Sequence, residues 1–181
     1  MVLLFGSAAL LSLPTASMSG DRIVAFYKDH ASLIVIQQVV GVVALGAFVA
    51  FALSLPRNRW LLPTVWAFVL VELITNVIPL AILAAGSSPD TALTWTRVED
   101  DADAVFSITI AAFVAAASLG QPIWLRIGAY VVAAANVLRG VGDPLGFTAL
   151  DAIAPLLFVV FVLVFSVTLL VAAKRAFQEP G

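Results

Sequence analysis

Glu72 is a carboxylic acid set inside FVLVELITNVIPLAIL, one of the most apolar runs in this chain. A carboxyl group there could pass a proton, pair with a cation or accept hydrogen bonds from a bound molecule. At about 3.6 residues per turn, a helix puts Glu72, Thr75, Asn76 and Pro79 on one face. Pro79 has no N–H, so the carbonyl of Thr75 becomes a spare acceptor on that same face. An ionised acid at such depth costs several kcal/mol if unpaired, so Glu72 should face inward and find partners or a proton.

Other polar residues fall where they could join it. Gln37 and Gln38 lie inside one apolar run, Asn136 and Arg139 close another, and Asp143 and Asp151 follow. The ligand-binding set expected is therefore Gln37, Gln38, Glu72, Thr75, Asn76, Asn136, Arg139 and Asp151. If the protein is an enzyme, Glu72 and Asp151 are the acids that would do general acid/base work. Arg139 is the basic residue nearest Glu72 in this arrangement, and its place at the end of a run lets it escape to water. His30 reads as an interfacial residue rather than a ligand or base. The acidic run from Glu99 to Asp103 reads as a solvated face, since its spacing is not that of a calcium loop.

The elements that position these residues follow from hydropathy. Of the 181 residues, 62% are hydrophobic and only 11% charged, less than half the charge a soluble domain carries. Apolar runs close to the length that crosses a bilayer recur along the chain. The expected fold is all-α: a single polytopic transmembrane bundle over 1–181 with about six spans. These are 2–18, 32–55, 60–85, 104–119, 123–138 and 149–173. Residues 19–31 should form an amphipathic connecting helix, with Asp21 as N-cap and Ile23, Val24, Phe26 and Tyr27 on its apolar side. Residues 86–103 read as an acidic outer loop. The segment 2–14 is short for a span and ends near Thr15-Ala16-Ser17, so a truncated span or a signal peptide stays open.

Arg57 and Arg59, Arg126, and Lys174 with Arg175 fall on one side of a six-span arrangement. The positive-inside rule makes that side, and both termini, cytoplasmic, and puts the polar cluster in the outer half of the membrane. Alanines 111, 112, 115–117, 129 and 133–135 let helices approach closely, within the bundle or against a partner protein or second copy. Trp60, Trp66, Trp95, Trp124 and Tyr130 read as interfacial anchors.

Much chemistry is excluded. The chain has no cysteine, which removes disulfides, thiolate nucleophiles and cysteine-ligated metals. One histidine and two methionines do not make a haem or copper site, and no metal or cofactor is implied. No phosphate-cradling glycine loop occurs, so no ATPase motor is present. A net charge of −2 offers no footprint for nucleic acid. The partners expected are the lipid bilayer and a small ligand.

The order AFYKDHASLIVIQQVVGVVALGAFVAFALSL, FVLVELITNVIPLAIL and QPIWLRIGAYVVAAANVLRG resembles a bacterial six-helix integral membrane family known by a domain of unknown function. The resemblance covers most of the chain after residue 20. It implies residence in a bacterial plasma membrane, a glutamate at Glu72 and an acid opening the last span at Asp151. It implies no activity.

Three functional classes remain. The leading one is a protein that binds or passes a small, largely apolar or amphipathic molecule through a polar-floored pocket in the outer half of the membrane. The second is a membrane-embedded enzyme acting on an isoprenoid or lipid by carboxylic-acid chemistry, as terpene cyclases do, although few aromatics within the spans are available to steady a cation. The third is an accessory subunit of a larger membrane complex.

Overall fold

The unbroken apolar runs of this sequence become long helices because, away from water, a helix pairs every backbone N–H and C=O within one segment. A computed structural model describes residues 11–85, 88–147 and 149–178, and among them the protein is all-α, without strands. The elements are α1 (Gly20–Asp29), α2 (Ala31–Ser54), α3 (Leu61–Ala85), α4 (Pro89–Ala117), α5 (Ile123–Gly142) and α6 (Ile153–Gln178). A single 3-10 turn, Asp143–Leu145, follows α5. Consecutive long helices pack on one another, and α1 lies against the start of α4.

Among the described residues, three helices are long and apolar enough to cross a membrane: α2, α3 and α6 through Val171. Their outward faces carry Val39, Val43, Leu70, Val77, Leu163 and Val167, all exposed. Water would not tolerate such a surface on a soluble protein, whereas lipid does. On the inward faces of α2 and α3, Gln38, Glu72 and Asn76 are buried instead. This is a membrane protein.

Two expectations are corrected. Most of the expected loop 86–103 is helix: from Pro89 onward it is the first half of α4, which runs without a break into the apolar half, while 86 and 87 lie outside the described residues. Ser88 caps it by accepting from the Thr91 N–H, Pro89 sits at the first position, and Asp90 meets the positive end of the helix dipole. Nor does the expected span 2–18 hold where it is described: residues 11–18 form no helix. The residues before 11 lie outside the described ones. Asp21 stands in the first turn of α1, with Ser19 at the N-cap position.

The core has two parts. Phe48, Phe68 and Phe113 form an aromatic stack, with Phe48 and Phe68 centroids 4.0 Å apart and Phe48 and Phe113 4.8 Å apart. Phe158 closes on the same group. At the other end Ile23 and Tyr27 of α1 pack with Ile34, Ile78, Ile82 and Ala92. Small residues set the spacing between α4 and α5. A side chain at Gly140 would come within 2.5 Å of the Ala104 carbonyl oxygen, so only glycine permits this approach. Ala111, Ala116, Ala117 and Ala129 are buried within the bundle.

Candidate functional site

Between the aromatic stack and the acidic helix ends lies a cavity of about 510 Å³. It is built by one face of each long helix except α5, which contributes Arg139 alone. On α3, Phe68, Glu72, Thr75 and Asn76 look into it, as their helical spacing requires. From α2 come Gln37, Gln38 and Gly41, and Pro155 and Phe158 come from α6. Glu99, Asp100, Asp103, Phe106 and Ile110 descend α4 at intervals of one turn or less, acids above and apolar groups below. The lining thus grades from a charged mouth, through amides and Glu72, to a phenylalanine floor.

Glu72 is held by its own helix. Asn76 Nδ2 donates to the Glu72 carbonyl at 2.7 Å and to its carboxyl Oε1 at 3.1 Å, while the Thr75 hydroxyl donates to the Glu72 carbonyl at 2.9 Å. Gly41 makes room for this: a Cβ there would meet Asn76 Oδ1 at 2.4 Å. The Asn76 amide is thereby trapped between α2 and α3 and fixes the Glu72 carboxyl toward the cavity. Glu72 is 8% exposed and Gln38 7% exposed, yet among the described residues neither Glu72 Oε2 nor the Gln38 amide has a hydrogen-bond partner. Gln37 is engaged, donating to the Leu11 carbonyl at 3.3 Å.

The mouth is organised around Arg139. Its guanidinium bonds Asp103 and donates to Ser107 Oγ at 2.8 Å. The same group lies 3.4 Å from Asp143 and 3.6 Å from Asp151. Burial, and then the neighbouring Asp151 carboxyl, push the Asp143 carboxyl up to about 6. Arg139 therefore does not escape to water, as its place in the sequence suggested. Its side chain is 12% exposed and joins α4, α5 and the start of α6.

A second, partly buried acid lies beside the mouth. Tyr27 Oη donates to Glu99 Oε2 at 3.3 Å, tying α1 to α4. Burial pushes the Glu99 carboxyl up to about 8, aided by Asp100 and Asp103. Burial, with Glu99 alongside, pushes the Tyr27 hydroxyl far above its ordinary range. Residues 11–17 cross the same opening, where the Ala16 N–H donates to Asp100 Oδ2 at 2.9 Å.

Seven of the eight residues expected to form a ligand site line one cavity: Gln37, Gln38, Glu72, Thr75, Asn76, Arg139 and Asp151. Asn136 does not. It is fully buried and donates to the Val132 carbonyl at 2.9 Å and the Ala154 carbonyl at 3.5 Å, pinning α5 to α6. Glu72 and Asp151 open on the same space, Glu72 in its middle and Asp151 at its rim.

Comparison with models of known families, with curated proteins and with solved structures returned no match. The site must be read from its own chemistry.

Sequence reasoning missed Asp103, Glu99 and Asp100 as cavity residues. A signal existed. Ala92, Thr96, Glu99, Asp103 and Ser107 recur at steps of three or four, the period of one helical face.

Proposed function

We propose that this membrane protein binds a small amphipathic molecule in the cavity beneath Arg139. The polar end lies among the groups of the mouth and middle, and the hydrocarbon lies against Phe68, Phe106 and Phe158. The observation that carries the reading is the grading of one continuous lining from charge to aromatic rings, in a volume typical of small-molecule sites. The basic residues Arg57, Arg59, Arg126 and Lys174 all stand at the opposite end of the bundle from the mouth. By the positive-inside rule the C-terminal end is cytoplasmic and the cavity opens outward. The membrane, on the resemblance described above, is the bacterial plasma membrane.

Native mass spectrometry of the protein extracted in a mild detergent tests this. A bound amphiphile should survive as a 1:1 adduct and be lost in Ile110→Trp, which fills the floor. A clean apoprotein from several detergents, or an adduct indifferent to Ile110→Trp, counts against it.

One observation favours an enzyme as the second reading. Phe68, Phe106 and Phe158 face the cavity that holds Glu72, so aromatic rings are in place to steady a carbocation after proton transfer. Incubation with a prenyl olefin should then yield an isomer of unchanged mass, and Glu72→Gln should abolish it.

A further inference from the structure

The cavity carries a marked excess of acceptors and negative charge. Among the described residues, Glu72, Asp100, Asp103 and Asp151 line it against Arg139 as the one basic group, and Glu99, which holds its proton at neutral pH, adds a further polar carboxyl. Arg139 is already committed to Asp103, Asp143 and Asp151, so it is not available as the anchor of an anionic head. A phosphate or carboxylate entering here would compete with those acids for Arg139 and then sit among them. That arrangement is repulsive on every side.

Deeper in, two groups point to what does fit. Gln38 and Glu72 are each more than nine-tenths buried, line the cavity and keep unfilled hydrogen-bonding capacity toward it. Asn76 occupies Glu72 Oε1 and leaves Oε2 to the cavity. Both groups open onto the cavity, so a donor from a ligand can reach them and make a charge-assisted hydrogen bond to the carboxylate. A carboxylate and an amide lining one cavity, with Asp100, Asp103 and Asp151 also on its wall and phenylalanine faces below, suit N–H groups bearing positive charge.

We propose that the cavity takes a cationic amphiphile, an alkyl or prenyl amine, with its ammonium group between Glu72 Oε2 and the Gln38 amide. This rests on the amphiphile reading above and adds the charge of the head. The acidic mouth raises the local concentration of cations and repels anions, so selection begins before the head reaches Glu72. Arg139 holds the three mouth carboxylates together without cancelling the excess.

The test uses three probes of one chain length: decylamine, decanol and decanoate. Each is titrated into the full-length protein in a neutral detergent at neutral pH, with 1:1 binding followed by native mass spectrometry. Decylamine should bind at least about tenfold tighter than decanol, and decanoate weakest. Glu72→Gln should erase the preference of amine over alcohol while leaving decanol bound, and Gln38→Met should weaken decylamine by several-fold. The wild-type ranking alone decides the matter if either variant fails to fold. Equal affinities, or a preference for decanoate, that are saturable and lost in Ile110→Trp would overturn the cationic class and leave the amphiphile site standing. No saturable binding of any probe would overturn both.

Discussion

Arg139, near the end of α5, and Asp103, midway along α4, are joined directly at the cavity mouth, and this pair shapes the site. The close approach of Gly140 to the Ala104 carbonyl brings the two helices near enough for it. Arg139 then gathers Asp143 and Asp151 as well, so α4, α5, the 3-10 turn and the turn before α6 meet on one cation. Replacing it leaves three carboxylates facing one another. Arg139→Gln should cost about 2 kcal/mol, read from SDS-induced unfolding followed by circular dichroism. Asp103→Asn in the same background should recover part of that loss, because it removes one repelling charge. If Arg139→Gln leaves the unfolding midpoint unchanged, the mouth is not organised by this ion network.

Glu72 and Asn76 form the second local device. Glu72→Gln keeps an acceptor for Asn76 and should cost little. Glu72→Ala leaves Asn76 Nδ2 without its side-chain partner and should cost about 1–3 kcal/mol. The same unfolding assay decides this, and equal losses for both variants would show that the charge itself is a structural strut.

Glycine positions in α2 give a matched pair. Gly41→Ala places a Cβ against Asn76 Oδ1, so it should cost about 1–3 kcal/mol and weaken amphiphile binding. Gly46→Ala meets nothing within 4 Å and should be neutral or stabilising by up to about 1 kcal/mol. Similar effects at both positions would remove the argument that Gly41 exists to seat Asn76.

Glu99 makes stability fall as pH rises. Folded, its carboxyl holds a proton up to about 8, while the ordinary value is 4.5, so the folded state binds more protons between those values. The stabilisation is whole below 4.5 and lost as pH climbs through about 8. Asp143, held at about 6, acts in the same direction over a lower window. The midpoint of thermal unfolding should therefore decline from pH 5 to pH 8.5, and Glu99→Gln should flatten the upper part of that decline. A rise over this window would contradict the buried Tyr27–Glu99 contact.

Orientation can be read with introduced cysteines, since the chain has none. Asp90 and Arg57 are exposed at opposite ends of the bundle, and neither carries a capping role of the kind that Ser88 and Asn58 do. An impermeant thiol reagent added to intact cells should label Asp90→Cys and spare Arg57→Cys. The reverse pattern would turn the cavity mouth toward the cytoplasm.

Much of this fold is legible in the sequence because α2, α3 and α6 are unbroken apolar runs that can be little else. The Glu72, Thr75 and Asn76 face follows from helical geometry alone. Hydropathy fails at α4, whose first half is too charged to resemble a membrane helix. There the capping residues and the inward period of Thr96, Glu99, Asp103 and Ser107 carry the information. The consequence reaches α5: with Asp103 read as loop, Arg139 has no partner visible in the sequence and reads as reaching water. Asn136 shows a different limit. Its depth in α5 was readable, but which neighbour it faces depends on the rotation of α5 against α6, which no local pattern encodes.

The most direct measurement of the central claim is the reactivity of a cysteine placed at Gln38. In the purified protein, a small cationic methanethiosulfonate should modify Gln38→Cys readily, and decylamine should slow it in a saturable way. Ala52→Cys, buried in the core away from the cavity, should stay unmodified. Silence at Gln38→Cys equal to that at Ala52→Cys would mean that no open polar pocket reaches Glu72.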